Sequence, residues 1–471
     1  MGLLEIELFL NIKKASKNKE TKMKILITGA TGNLGNKVGY ELAKTGHQLV
    51  VVSRTARSAQ EKLIFPAEVI AKNLSTDVLT AVDFSGIEAV IHLMGETIDG
   101  RWTESKKKEI LNSRVQSSKN LLKNLPENVK VVISASAQGF YGNCDDQEIS
   151  ESAPKGTGFL ADVCDEWEKP FRDLKQRNIQ LRTGIILDPQ SGALKKMIPL
   201  FQKNLGAGLG NAKQYMSWIS MDDMVQIVLH ALSTETLRGP LNCSVPKAVR
   251  NLDFTQKLCE ALGVFQLPNV PNLVLKIGFG EMSSILTDSF RMVPQKLIDS
   301  GFQFSQANLE NYFEHELLDF KNGQSVLEAK QFLPFSQDRV FQFFSEAQNL
   351  EAITPEILNF KIENVSTAEI QKGTLIDYKL KIHGVPAKWK TLISEWQPPY
   401  QFVDQQLKGP YSVWHHTHEF QPFLGGTLMT DRVKFKLPLG FLGRFTAGSF
   451  VQSDVENIFN YRRSVIAEKK F

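Results

Sequence analysis

Three glycines, Gly29, Gly32 and Gly35, follow a short apolar run at 25–27 and open an amphipathic helix pattern with Val38, Leu42 and Ala43 on one face. Another apolar run, 49–52, comes after the Gly46-His47 break. Strand, glycine turn, helix, strand is the order of a dinucleotide-binding βαβ unit. Glycine permits the tight turn and lets backbone N–H groups approach a pyrophosphate, which the positive end of the helix then faces. The turn residues Gly29, Thr31, Gly32, Asn33, Leu34 and Gly35 are therefore candidate cofactor contacts. The second strand ends in Ser53-Arg54. NAD-binding units place a carboxylate there, about 20 residues past the glycines, for the ribose 2′-hydroxyl. Arg54 instead suits a 2′-phosphate through a charge-assisted fork, which favours NADP(H). The plainer alternative is a solvated arginine at a strand end.

Apolar strand patterns at 24–28, 49–53, 67–71, 89–93, 130–134 and 179–183 alternate with helical ones up to about residue 237. This alternation predicts a doubly wound parallel α/β sheet with ligands at the carboxyl ends of its strands. A mixed segment, 239–320, carries Pro240, Pro246, Pro268, Pro271 and Pro294 and is expected to pack on this domain beside a substrate cleft. From Ser325 onward the character changes, and 15 of the 30 phenylalanines lie there. Period-two alternation at 374–382, 389–396, 413–420 and 427–435 predicts antiparallel strands. A helical pattern through Val451, Val455, Ile458, Phe459, Val465 and Ile466 predicts a closing helix against a curved sheet.

The 471 residues suffice for two or three domains, and a net charge of +4 is too small over that length to imply nucleic acid. Four widely spaced cysteines, Cys144, Cys164, Cys243 and Cys259, read as reduced thiols in a cytoplasmic protein. No apolar run reaches the ~18 residues of a membrane span. Residues 1–22 differ from the rest: an apolar stretch with Glu5 and Glu7 is followed by lysines, the reverse of a secretory signal. A disordered leader, or an upstream start with Met23 as the natural beginning, is expected.

Five further stretches carry a family resemblance: His92-Leu93-Met94-Gly95-Glu96 with Arg101-Trp102-Thr103; Ser113-Arg114-Val115; Ser134-Ala135-Ser136-Ala137 leading to Tyr141-Gly142; Gly158-Phe159-Leu160-Ala161 with Trp167-Glu168; and Met216-Ser217-Trp218-Ile219 with Asp222-Asp223. In this order they resemble the extended short-chain dehydrogenase/reductases, and more narrowly their "epimerase family" subgroup, over roughly 23–318. The resemblance implies a Rossmann domain at 23–238 and a substrate-side segment at 239–320. It implies that Gly95, Glu96 and Arg101 line an NADP(H) site and that Asn73 and Leu74 flank the adenine. From the residues alone, Glu96 reads equally well as a helix-terminus carboxylate.

Relatives of this kind use a Ser or Thr, a Tyr and a Lys; the lysine lowers the pKa of the tyrosine, whose phenol is a poor base near its ordinary ~10. Ser136 matches the serine. Phe159 and Val163 stand where the tyrosine and lysine belong, so Val163 is retained only as a cofactor contact. Tyr141 is the local substitute and, with Ser136, the catalytic candidate. Tyr40-x-x-x-Lys44 lies on the first helix and reads as a surface pair. Asp222-Asp223 reads as a helix cap, and Gly206 to Gly210 as a flexible loop.

The stretch from Ser325 onward resembles the helix-grip superfamily, the START-like/SRPBCC proteins that include coenzyme-Q-binding proteins and polyketide cyclases. The resemblance is carried by Phe332-Leu333-Pro334, Val340-Phe341, Phe344, Asn349-Leu350-Glu351, Ile353-Thr354-Pro355, Gly373-Thr374, Trp396-x-Pro-Pro, Phe402-Val403-Asp404, Gly409-Pro410-Tyr411 and Trp414-His415-His416-Thr417-His418-x-Phe420. It implies an α+β domain at 325–471 with a cavity for a lipid or quinone-like molecule; the aromatic excess suits a solid core equally. His416 and His418 share a strand face, but spacing supplies no third ligand, so no metal is expected. Two functions follow: an NADP(H)-dependent oxidoreductase or epimerase acting on a small carbonyl or alcohol substrate, or a non-catalytic NADP(H)-binding sensor or carrier of an apolar ligand.

Overall fold

The computed structural model describes residues 22–469, so all of the expected leader except Lys22 lies outside the described residues. Seven parallel strands form the first sheet: β1 (Lys24–Thr28), β2 (Gln48–Ser53), β3 (Glu68–Ala71), β4 (Ala89–His92), β5 (Val131–Ala137), β6 (Arg177–Thr183) and β7 (Gly239–Cys243). Their order is β7-β6-β5-β4-β1-β2-β3. The chain leaves β1 toward β2 on one side and returns to β4 on the other, which makes the β1/β4 boundary the switch point where such sheets bind ligands. All six expected strands are present with small shifts at their ends. β7 lies just past the boundary expected at residue 238, because its Gly-Pro start hides a strand whose Leu241 and Cys243 are buried.

Helix α1 (Asn33–Lys44) buries Val38, Leu42 and Ala43 as its pattern requires. Helices α2 (Ala56–Lys62), α3 (Glu104–Leu122), α4 (Phe159–Arg172), α5 (Gly192–Gln202) and α6 (Met221–Ser233) complete the layers that concern the site. The segment after β7 packs on this domain, with Leu297, Leu309, Tyr312 and Phe313 in its main core. Two sequence readings change here. Ala207–Leu209 is a strand paired with Leu267–Val270, not a free glycine loop. Ser220 caps α6, while the buried Asp223 carboxylate accepts from the backbone N–H groups of Ser305 and Gln306 at 2.9 and 3.0 Å.

The second sheet is antiparallel and separate. Its strands are β8 (Ser325–Leu333), β9 (Lys361–Val365), β10 (Leu375–Ile382), β11 (Val385–Gln397), β12 (Gln401–Lys408), β13 (Val413–Phe423) and β14 (Gly426–Lys436), in the order β8-β14-β13-β12-β11-β10-β9. Helix α7 (Gln337–Ser345) and the 29-residue α8 (Gly440–Glu468) pack against it. The two domains are joined by more than the linker. Phe332 N donates to Leu63 O at 3.0 Å, Val326 joins the core of the first domain, and Tyr40 stacks on Phe423 at 4.9 Å. Arg57 pairs with Glu468 at 2.7 Å. Tyr40 and Lys44 are thus local neighbours as expected, with Lys44 Nζ 5.3 Å from the ring centroid, but the ring also serves the domain junction. All four cysteines are free, and among the described residues no helix is long and apolar enough to cross a membrane.

His92 ends β4 at the switch point, fully buried between Thr28 Oγ1 at 2.7 Å and Ser118 Oγ at 3.2 Å. Burial pushes its imidazole from 6.5 down to about 4, so the fold holds the ring neutral. The unfolded chain takes the proton first as pH falls. The stability this ring allows is complete above pH 6.5 and is lost as pH drops toward 4. Between pH 7.5 and 5 the first domain should lose about 2 kcal/mol on this account. His92→Gln should flatten that part of the stability–pH curve in urea titrations; identical slopes in the two proteins would refute the assignment.

Candidate functional site

The glycine turn owes its shape to close backbone approaches. Gly29 has φ +74°, and a Cβ there would sit 2.7 Å from Leu93 O at the end of β4. A Cβ on Gly35 would collide with the Gly29 carbonyl, so α1 crosses directly over the turn. Gly32 N donates to Gly29 O at 3.0 Å, no side chain caps α1, and its first turn holds no acidic residue. The positive end of α1, with Thr31, Asn33 and Leu34, therefore lies against the switch point, a cradle that fits a pyrophosphate. Ser53 is buried at the end of β2 and Arg54 beside it is exposed, with Thr55 taken up in capping α2.

The other cofactor candidates divide. The Gly95-Glu96 turn is clamped by Arg114, whose Nη2 donates to Glu96 O at 2.9 Å, and Glu96 N donates to Ser113 Oγ at 3.3 Å. The Glu96 carboxylate lies 3.8 Å from Lys106 Nζ. Arg101 is exposed and donates to Ile277 O at 3.2 Å, tying this turn to the segment expected on the substrate side. Asn73 shapes its own turn, accepting from Ser75 N at 3.2 Å. The Leu74 side chain is in the core beneath the sheet, and its carbonyl accepts a buried hydrogen bond from Asn120 at 2.8 Å. Val163 is buried with Trp102 and Ile110, and Phe159 lies edge-on to Trp102 at 5.1 Å. An apolar cluster thus fills the place expected for the tyrosine and lysine, and Val163 presents no side chain to an open site.

Ser136 and Tyr141 are brought into one network, but it is a buried one. Ser136 Oγ donates to Glu168 Oε1 at 2.7 Å. Arg182 grips the same carboxylate through Nε at 2.9 Å and Nη2 at 2.8 Å. Its Nη1 donates to the Tyr141 hydroxyl at 3.1 Å, and that hydroxyl donates to Asn242 Oδ1 at 2.7 Å. Asn242 in turn donates to the carbonyls of Ile149 and Val293, each at 3.0 Å. The Arg182 guanidinium lies 3.4 Å from the centroid of the Phe140 ring. Burial pushes the Tyr141 phenol up to about 12 against the pull of Arg182. The hydroxyl proton of Tyr141 goes to Asn242 Oδ1, and the side chain is buried. Glu168, Arg182 and Asn242 were not among the candidates. The signals in the sequence were Glu168, which closes one of the stretches that carry the family resemblance, and Arg182, a charge beside the buried Leu181 on a strand inside the sheet.

Similarity to known proteins agrees with this geometry. Residues 25–158 match the NAD dependent epimerase/dehydratase family, and 270–316 match a domain of unknown function, DUF1731. The chain is 34% identical over 303 residues to the chloroplastic epimerase family protein SDR39U1 homolog of Arabidopsis thaliana, covering 85% of that protein and 61% of this one. It is 35% identical over 289 residues to an epimerase family protein of Mycobacterium leprae, covering 92% of it. The chain belongs to the epimerase family. The crystal structure of the human epimerase family protein SDR39U1 (isoform 2) with NADPH superimposes with a TM-score of 0.56 at 26% identity, covering 98% of that chain and 62% of this one. The family is one that binds NAD(P).

The epimerase-family chain has a second candidate site in its other domain. A cavity of about 720 Å³ lies between the antiparallel sheet and helices α7 and α8, lined largely by aliphatic and aromatic side chains such as Ile376, Leu380, Trp389, Ile393 and Phe402. His416 and His418 share a face and reach its wall, as the alternation of β13 required. The structure adds what spacing lacked: Asp404, on neighbouring β12, stands opposite His416.

The buried Glu168–Arg182 pair makes a sharp stability prediction. Glu168→Leu alone leaves the guanidinium unpaired and should destabilise the first domain by about 3–5 kcal/mol. Glu168→Leu combined with Arg182→Leu should recover most of this, and Ser136→Ala should cost only about 1 kcal/mol. Denaturant midpoints of the three variants check the order; a silent Glu168→Leu would remove the pair from its bracing role.

Proposed function

We propose that the first domain is an NADP(H)-dependent oxidoreductase of a carbonyl or alcohol substrate. The observation that carries this is the pairing of an uncapped α1 over three close-packed glycines with an exposed Arg54, and no carboxylate, at the end of β2. The human relative's NADPH supports the same reading. A bound nicotinamide would supply hydride chemistry. Gly29, Gly32 and Gly35 would hold the phosphates against the N-terminus of α1, Arg54 the 2′-phosphate, and the Arg114-clamped Gly95-Glu96 turn the opposite edge. Wild-type protein should bind NADPH well ahead of NADH in fluorescence titrations. Arg54→Ala should weaken NADPH binding roughly ten- to hundredfold, the loss of about 1.5–3 kcal/mol, and leave NADH almost unchanged. Equal wild-type affinities for the two would defeat the NADP(H) reading.

A second reading, a non-catalytic NADP(H) sensor or carrier, is favoured by one observation. The positions expected to hold an acid/base tyrosine and its lysine are filled by Phe159 and Val163, and Tyr141 has its proton tied to Asn242. General acid/base help worth about 10²–10⁴ in rate is then missing from the side chains. Substrate turnover at the rate of ordinary reductases would exclude this second reading.

We also propose that the second domain is a START-like/SRPBCC helix-grip fold whose cavity takes a lipid or quinone-like molecule. The largely apolar volume supports it, because a cavity of this size matches those that bury small ligands. Decylubiquinone should raise the melting temperature of the full-length chain, and Leu380→Trp, which fills the cavity, should abolish the shift. No shift with decylubiquinone or with lipids extracted from cells would count against a ligand cavity. Four free cysteines in a chain of this length support a reducing compartment such as the cytoplasm.

A further inference from the structure

Asp404, His416 and His418 interrupt the apolar wall of the second domain's cavity, with Asp431 behind them. They arise from three adjacent strands in register: Asp404 of β12 opposite His416 of β13, and His418 of β13 opposite Asp431 of β14. The two imidazole rings are stacked with centroids 3.7 Å apart. Asp404 Oδ2 lies 3.2 Å from His416 Nδ1 and 3.0 Å from His418 Nε2. Asp431 Oδ1 lies 3.0 Å from His416 Nε2 and 2.8 Å from His418 Nδ1. Every ring nitrogen thus faces a carboxylate oxygen.

Only two of these contacts have hydrogen-bond geometry, His416 Nε2 with Asp431 Oδ1 and His418 Nε2 with Asp404 Oδ2. Two neutral imidazoles, with one N–H each, supply both. The buried His418 Nδ1 is left without a hydrogen-bond partner. A cation between Asp404 and the two rings would take the lone pairs of His416 Nδ1 and His418 Nε2, and each ring would then turn its one N–H toward Asp431.

We propose that Asp404, His416 and His418 bind one divalent transition-metal ion of the zinc and iron class. One ligand atom from each lies within 4.8 Å of the others. The two Asp404–histidine separations, 3.2 and 3.0 Å, need to open by only a few tenths of an ångström to reach the edge of about 3.4 Å that bonds of about 2.1 Å give a tetrahedron. Asp431 is the outer carboxylate that fixes the ring tautomers, the role such partners play for metal-bound histidines. Asp404, His416 and His418 line the cavity and Asp431 does not, so the fourth position of the ion opens onto the apolar space. Two histidines and one carboxylate with an open position form a reactive rather than a purely structural site. The ligand class is an apolar molecule carrying one oxygen or nitrogen donor. Binding of the ion is independent of the apolar-ligand reading above; only the class of molecule at its open position rests on it.

Full-length protein, treated with a chelator and then titrated with Co²⁺, should bind one ion per chain and develop the intense visible bands of four- or five-coordinate cobalt. Zn²⁺ should displace it. Asp404→Asn and His418→Ala should weaken binding at least about 100-fold, and Asp431→Asn about 10- to 100-fold. Unchanged NADPH affinity and far-UV circular dichroism would show that the variants are folded. Octanohydroxamic acid should change the cobalt bands of the wild-type protein. No such bands in wild type, or equal affinities in wild type and Asp404→Asn, would leave an ion-pair quartet only and overturn the metal site. Bands indifferent to octanohydroxamic acid would overturn the open position while leaving the ion. Failure of decylubiquinone to stabilise the chain while cobalt still binds would fault the apolar-ligand reading alone.

Discussion

A single buried ion pair organises the part of the first domain that holds Ser136 and Tyr141. Glu168 on α4 and Arg182 on β6 are both nearly inaccessible, and together they draw in Ser136 from β5, Tyr141 from the turn after β5 and Asn242 from β7. Neither charge is tolerable alone at this depth, so wherever one goes the other must follow. Four elements distant in sequence are thereby fixed against one another. The same bonds take up the polar atoms of the residues that resemble a reductase's catalytic set.

The cofactor side depends on a different constraint, the absence of Cβ atoms. Gly29 lets the turn touch the end of β4, and Gly35 lets α1 pass over the turn, so the N-terminus of α1 is packed against the switch point. Arg114 continues this edge from α3 by holding the Gly95-Glu96 turn through its backbone carbonyl and stacking near Trp167 at 4.9 Å. Arg54, the proposed contact for a 2′-phosphate, is exposed and lies outside these packed contacts.

The second domain is docked, not merely tethered. β8 pairs with β14 on one side, buries Val326 in the first domain's core, and bonds to the end of α2 through Phe332. α8 reaches α2 through the Arg57–Glu468 pair. Helix α2 begins directly after the Ser53-Arg54 strand end. The long helix that helps enclose the apolar cavity is therefore packed against the helix beside the adenine-side candidate Arg54. The two halves share a short structural path, although no sequence pattern announces it.

Local physics explains what was legible from the residues alone. The glycine turn, six of the seven parallel strands, the face of α1 and the alternation of β10, β11, β13 and β14 all follow from steric rules and periodicities that act within a few residues. β8, β9 and β12 were not marked as strands because their alternation is short or broken by polar residues, and β7 was hidden by its Gly-Pro start. The side of β13 that carries His416 and His418 was also fixed by alternation. Long-range pairing was not legible. Nothing near Tyr141 announces Asn242, about a hundred residues away, and nothing near His416 announces Asp404 across a strand pair. The sequence by itself determined which elements form and which of their faces are buried, because those depend on local spacing. Only the tertiary structure decided which charges meet, because burying a charge requires a partner and strand register chooses which one arrives.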